Sequence, residues 1–382
     1  MARLKDVLTI TTSSQQIDDD TIWLLNLDMV EQQTGNIIAY NFVPRSELNG
    51  SIIQFDTNNV LYSKLRPNLN KVVVPTTYGF ATSEMLPLLP NPQLLSRAYL
   101  AAFLRSDSFV TWAVSKTAGA KMPRLSTQEL LNKEIPLPSL DEQNYFSALL
   151  DKTCALIALR KQQLAKLDEL VKARFVEMFG DPLKNDREWP TASLGEVAEI
   201  RIGPFGSMLH KDDYIEKGHA LVNPSHIIDG KIVIDPKLTV SDEKYFELSS
   251  YALQPGDVVL GRRGEMGRCA VAREEGLLCG TGSMIIRSKG KMLPYFLQNV
   301  LSSPGYKKII EDKAVGVTML NLNIPIVSAL EVPLLPLRKQ NQYICFLKKV
   351  DEIKLTTQQG LDKLEMAKNA LMQEYFEGGK SL

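Results

Sequence analysis

Apolar residues recur along the chain with two different periods, and the change from one to the other separates its parts. From Leu140 onward about forty residues run without glycine or proline until Gly180 and Pro182 stop the pattern. Placing heptad position a at Leu150, Ile157, Leu164, Val171 and Met178 puts Phe146 and Leu167 at d, and Leu149, Leu156 and Leu170 widen the seam. Ser139 and Glu142 stand ahead of it with the spacing of a capping box. The pattern predicts one helix, about 60 Å long at about 1.5 Å per residue. A second run follows Val332 near the end of the chain, with Leu347 and Leu361 at a and Tyr343, Val350, Leu364 and Leu371 at d. Lys354 and Lys368 intrude on that seam, which is poorer. Ahead of each run the texture is mixed. β-Branched runs such as "KVVVP", "GKIVI" and "GDVVL" predict strands, while "SRAYLAAFLRS" and "LPYFLQNVLSS" predict short helices.

The two halves are copies of one another. At an offset of 197 positions, "GAKMPRLSTQELLNKEIPLPSLDEQN" from Gly119 aligns with "GVTMLNLNIPIVSALEVPLLPLRKQN" from Gly316. The offset pairs Gln143 with Gln340, Leu164 with Leu361, Leu167 with Leu364 and Phe179 with Phe376 without a gap. Upstream the match weakens and slips by a residue or two, as where "NNVLYSKLRP" meets "GDVVLGRRGE". The chain therefore reads as a pseudo-twofold tandem repeat of an α/β (α+β) globular unit followed by a long helix. The expected partition is a first globular domain over 1–134, a helical spacer over 135–184, a second globular domain over 185–331 and a second spacer over 332–382. A lone rod cannot bury its apolar stripe, so the two helices are expected to pair antiparallel and separate the globular domains. The alternative is that each helix folds back onto its own globular domain.

A length of 382 residues suits two domains better than one. Asp18, Asp19 and Asp20 interrupt the N-terminal region and no run of eighteen apolar residues occurs, so a secreted or membrane-spanning protein is not expected and a cytoplasmic one is. The four cysteines lack CxxC spacing and are expected to be reduced thiols.

Catalytic constellations are missing. "GPFGS" and "VNPS" match neither a cofactor loop nor the catalytic segment of a nucleotide methyltransferase. Glu352-Ile353-Lys354 and Asp242-Glu243-Lys244 look like half of a nuclease motif, but triplets of this kind arise by accident in a chain with 23% charged residues. His210, His219 and His226 lack the spacing of a metal site, so no metal, catalytic residue or cofactor is expected in this chain.

Charge supplies the positive signal. The chain carries 44 basic and 44 acidic side chains, so any polyanion must be met by a local patch. Between Thr57 and Ser83 lie Lys64, Arg66 and Lys71 with no acid, interleaved with Asn68. The second half answers with Arg262, Arg263 and Arg268 among glycines. "GAKMPRLS" adds Lys121 and Arg124, and its repeat adds Thr318, Asn321 and Asn323. Cations beside amides are what phosphate neutralisation combined with base-edge readout requires, so these twelve residues are the candidate DNA contacts. An ordinary solvated surface is the competing explanation.

These segments carry a resemblance over nearly the full length. "IPLPSLDEQ" from Ile135 with its long helix, the diverged "VPLLPLRKQ" from Val332, "SKLRPNLNKV", "TSEMLPLLP", "GAKMPRLS" and "WPTASLGEVAEI", in this order and with the duplication, resemble the specificity subunit of type I restriction–modification systems. The resemblance implies two target-recognition domains, each reading one half of a bipartite, asymmetric sequence in double-stranded DNA. It further implies a non-catalytic subunit whose helices dock two modification (methyltransferase) subunits, which carry S-adenosylmethionine and methylate adenine, with motor-nuclease restriction subunits joining for cleavage. On that reading Gln143, Leu164, Leu167, Gln340, Leu361 and Leu364 mark the docking helices. The second copy departs from the first in having Arg338 and Lys339 where Asp141 and Glu142 stand. The first domain also begins abruptly at "MARLKDV", which leaves its first strand undefined. A stand-alone sequence-specific DNA-binding regulator and a protein-interaction scaffold are the other two readings.

Overall fold

A computed structural model describes residues 1–48, 50–119, 121–181, 184–205, 208–264, 267–314 and 321–377. The chain divides into two compact units, Met1–Gln163 with Thr357–Leu382, and Leu164–Thr356.

In the first unit, strands Leu8–Ile10, Met85–Pro90, Val60–Ser63 and Val72–Val73 form an all-antiparallel sheet in that order. A second sheet orders Phe42–Pro44, Thr21–Leu25, Gly79–Thr82 and Ile52–Phe55, with the middle pair parallel. Helices Arg97–Arg105 and Asp107–Ser115 cover the first sheet and bury Leu100, Leu104 and Phe109 against Val60, Tyr62 and Leu88. Ser96 and Ser106 cap these helices, accepting hydrogen bonds from the Tyr99 and Phe109 amides, which is why each starts where it does.

The second unit repeats the plan. Ala198–Ile202, Ser283–Ser288, Val258–Gly261 and Cys269–Val271 form the all-antiparallel sheet. Tyr214–Ile215, Thr239–Val240, His219–Val222 and Leu278–Cys279 form the mixed one, again with a single parallel pair. Helices Pro294–Ser302 and Pro304–Lys313 take the covering positions, the latter capped by Ser303. The strands and short helices expected from β-branched runs and helical periodicity are therefore present, and both units are α+β.

The undefined first strand of the first domain exists. Ala2 and Arg3 pair with Ile135 and Glu134, as Ala192 and Ser193 pair with Val332 and Glu331, and a single helical turn follows in each unit, Leu4–Val7 and Leu194–Val197.

The two long helices span Leu140–Phe179 and Leu337–Phe376. Each unit contains the start of one and the end of the other, and within each unit they pack antiparallel. In the first unit Phe146, Tyr375 and Phe376 form an aromatic cluster with Tyr99. In the second, Tyr343 packs edge to face on Phe175 and Phe179, beside Phe296. Lys161–Glu365 and Lys354–Asp168 ion pairs bridge the helices within the first and the second unit respectively. The antiparallel arrangement is the expected one, and each helix also docks on a globular core. Ser139 and Glu142 close the predicted capping box on the first helix. At the second, Lys339 instead lies over the Trp189 ring, 4.5 Å from its centroid. No helix among the described residues is long and apolar enough to cross a membrane.

Candidate nucleic-acid interface

The chain folds so that segments far apart in sequence meet at one junction in each unit. In the first unit the backbone leaves strand Val60–Ser63 at Lys64, whose amide donates to Glu84 O at 3.0 Å and whose carbonyl accepts from Leu125 N at 2.9 Å. Arg66 N donates to Pro123 O at 2.8 Å, and Leu65 bridges Arg124. The "SKLRP" and "KMPRLS" segments are thus zipped together at the end of the sheet. Arg66 precedes a proline and holds φ 49°, a left-handed conformation that a non-glycine residue adopts only when its surroundings impose it. Its side chain is exposed, like those of Asn68 and Lys121.

Arg124 reaches across to Glu84. Its Nε lies 3.1 Å from Oε2 and its Nη2 2.8 Å from Oε1, the two-pronged geometry in which a guanidinium and a carboxylate fit best. The hydrogen bond from Arg124 holds the Glu84 carboxyl below its ordinary range, and the charges of Arg124 and Lys64 act in the same direction.

The second unit builds the same junction from different side chains. Arg262 N donates to Gly282 O at 2.9 Å, Leu322 N donates to Arg262 O at 3.0 Å, and Arg263 bridges Asn321. Lys64 therefore corresponds to Arg262, Glu84 to Gly282 and Arg124 to Asn321. Here the guanidinium stands at the other corner: Arg262 Nε donates to Asn321 Oδ1 at 3.0 Å.

Side-chain placement revises three candidate contacts. Arg262 is only 8% exposed, and burial together with the neighbouring Arg263 lowers its pKa, so it supports the surface from beneath. Lys71 is half-buried, its ammonium donates to the Leu27 carbonyl, and burial lowers its pKa, so it is not an open cation. Asn323 caps helix Ile324–Ser328 by accepting from Ile326 N at 2.9 Å, the role of Ser126 in the first unit. Lys64 and Asn321 are half-buried at the junctions, Arg263 is exposed, and Arg268 is half-buried. Thr318 lies outside the described residues. Glu84 was missed. It stands one position beyond the acid-free run, and its correspondence with Gly282 emerges from the matching backbone hydrogen bonds of the two junctions.

The six residues assigned to the docking helices have different surroundings. Gln143 and Gln340 are fully buried and hydrogen-bonded inside their units, so neither side chain is open to a partner. Leu361 is buried, and Leu164, Leu167 and Leu364 are half-buried. Exposed apolar residues on the same helices include Leu156, Leu159, Leu355 and Met366.

The family model for the type I restriction modification DNA specificity domain matches twice, over residues 30–169 and 186–366. The chain belongs to this family. The type I restriction enzyme MjaVIII specificity subunit of Methanocaldococcus jannaschii is 22% identical over 314 residues, 77% of this chain and 72% of that protein. The EcoDI specificity subunit of Escherichia coli is 23% identical over 154 residues, 39% of this chain and 34% of that protein. A chain solved in work on assembly and conformational transition of the type I R-M system superposes with a TM-score of 0.65 at 18% identity, covering 99% of this chain and 97% of its own. The S subunit from M. genitalium superposes with a TM-score of 0.57 at 13% identity, covering 98% of this chain and 95% of its own. Likeness at these identities shows a shared fold. The double match of the specificity-domain model coincides with the duplicated junctions, one in each matched segment.

Proposed function

We propose that this specificity-domain protein is the DNA-reading subunit of a type I restriction–modification complex, each unit recognising one half of a bipartite, asymmetric duplex target. The observation that supports this most is the junction built twice on one backbone frame with different side chains. Conserving the frame while changing what it presents is how one fold reads two unlike half-sites. Arg66 and Lys121 are exposed to neutralise phosphates, Arg263 is exposed beside Asn321, and Arg124 and Asn321 stand where a base edge can be met.

The chain itself performs no chemistry on this reading. Two modification subunits carrying S-adenosylmethionine methylate adenine, and motor-nuclease subunits cleave, in the cytoplasm where the DNA lies. The exposed apolar residues of the long helices support partner docking there, with Leu159, Leu355 and Met366 replacing the buried glutamines as the side chains that make contact.

The test is long-read detection of methyladenine in a host expressing this chain with the methyltransferase subunit encoded beside it, compared with each alone. A bipartite methylated motif that requires both is expected. Soluble complex without new methylation would overturn the assignment.

A further inference from the structure

We infer that the duplicated junction is the base-reading contact in each half-site and that it is wired in opposite senses: Glu84 positions the Arg124 guanidinium toward acceptors on a guanine edge, whereas Arg262 positions the Asn321 amide. This inference rests on the DNA-reading assignment above and deepens it by naming the readers, their positioning residues and the base chemistry each suits.

In the first unit the carboxylate of Glu84 takes the Nε hydrogen and one Nη2 hydrogen of Arg124. A guanidinium has five donors, so both Nη1 hydrogens and one on Nη2 remain available, on a side chain that is 43% exposed. Guanine presents two acceptors, N7 and O6, side by side in the major groove, and a planar fork matches them. A clamped arginine also loses less conformational freedom on binding than an unrestrained one.

Two simpler roles explain the pair less well. If Arg124 only neutralised phosphate, Glu84 would cancel its charge and repel the backbone. If the pair only supported the fold, the second unit would need an equivalent, yet it carries Gly282 and Asn321 at the same positions while Arg262 keeps both backbone hydrogen bonds that Lys64 makes in the first unit. Exposed ion pairs contribute little to stability in any case.

In the second unit the Asn321 amide is oriented by the hydrogen bond from Arg262 Nε to its Oδ1. That bond fixes which way the amide faces, and it leaves the NH2 group and the second Oδ1 lone pair for a base. An amide with one donor and one acceptor suits adenine N7 and N6. Arg262 is buried beneath it, which makes it a positioning residue.

The experiment uses the full chain in complex with its methyltransferase subunit, on duplexes carrying the motif that methylation sequencing defines. Arg124→Ala is expected to relax one base pair in one half-site, reducing discrimination there by roughly 5- to 150-fold, and to leave the other half unchanged. Asn321→Ala should relax one base pair in the other half. Glu84→Gln separates positioning from charge: it removes a negative charge, so affinity for non-specific duplex should hold or rise while discrimination at the Arg124 position falls. Arg124→Lys keeps the charge without the fork and should lose discrimination as Arg124→Ala does. Replacing the affected guanine by 7-deazaguanine should weaken wild-type binding and leave the Arg124→Ala complex indifferent. If the wild type reads a two-part motif and discrimination survives in Arg124→Ala and Glu84→Gln, this inference is wrong and the DNA-reading assignment stands. If the wild-type complex neither methylates nor binds any motif selectively, both fall together.

Discussion

Phe376, in the last turn of the second long helix, packs edge to face on Phe146, near the start of the first, with ring centroids 5.3 Å apart. The register of the duplication maps this pair onto Phe179 and Tyr343 in the other unit, also edge to face at 5.3 Å. Each unit is thus closed by the far end of the other copy's helix, which is why neither helix needs a separate partner for its apolar stripe. Phe146 is fully buried, so Phe146→Ala should destabilise the first unit by about 3–5 kcal/mol. Tyr343→Phe removes one long hydrogen bond, 3.3 Å to Asn299 Oδ1, and should change stability by less than about 1.5 kcal/mol. Hydrogen exchange read by mass spectrometry locates each loss, and lost protection confined to residues 164–356 in Phe146→Ala would contradict the assignment.

Gln143 and Gln340 make matching sets of hydrogen bonds. Gln143 accepts from Ser96 N at 2.9 Å and donates to Leu94 O and Pro138 O, both at 2.9 Å. Gln340 accepts from Leu293 N at 2.7 Å and donates to Lys291 O and Leu335 O at 3.1 and 2.8 Å. Each side chain ties the start of its long helix to the chain leading into the first covering helix. Replacing either by alanine leaves buried backbone groups unpaired and should cost about 2–4 kcal/mol in its own unit. Chemical denaturation of Gln143→Ala that superimposes on the wild type would show that water takes over these bonds.

The same pair shows where sequence reading succeeded and where it stopped. Heptads, the capping box and the 197-position register revealed both long helices, because apolar spacing is written directly in the chain. That register also paired the two glutamines, but it could not say that they turn inward. The front of the repeat was obscured for a physical reason: its first ladder is two or three residues of backbone pairing, which leaves little mark on side-chain choice. Its offset there is 190, Leu4 matching Leu194, so seven residues of difference lie between the ladder's two strands. Charge runs count cations without showing which are committed to internal carbonyls. Lys71 and Arg262 therefore looked like open cations, and Glu84, just outside the run, went unnoticed.

The capping box predicts an acid-sensitive helix start in the first copy. Hydrogen bonds from the Ser139 hydroxyl and amide hold the Glu142 carboxyl below its ordinary value of 4.5. A depressed folded pKa means that its stabilisation is present above pH of about 4.5 and is lost as pH falls through the folded value. Glu142→Gln should therefore be less stable than the wild type near neutrality, and the two should converge in acid. Parallel curves across pH 2–7 would rule the linkage out. Lys339 occupies the matching position in the second helix, so no equivalent step is expected there.

The four thiols should divide into two classes. Cys269 and Cys279 are buried, and burial pushes both pKa values up, that of Cys269 to about 12, so neither forms thiolate near neutrality. Cys154 and Cys345 are exposed on the long helices. Maleimide should label two sites in the native protein and four after denaturation, counted by intact mass. Labelling of Cys279 in the native state would mean that its sheet opens on the timescale of the reaction.

Arg66 and Arg263 separate positioning from reading. Arg66 is exposed and its backbone is held in the left-handed region by the bond to Pro123, which fixes where its side chain leaves the surface. A phosphate contact of this kind carries no sequence information, so Arg66→Ala should weaken binding to all duplexes alike. It should also reduce the slope of log affinity against log salt by about 0.9, the release of roughly one counterion. Arg263 stands beside Asn321 at the reading corner of the other unit. If its side chain meets a base, Arg263→Ala relaxes one half-site and leaves the salt slope nearly unchanged. If it meets phosphate, it behaves as Arg66 does. Unaltered affinity, slope and motif in both variants would remove these arginines from the interface and shift the contact surface away from the junctions.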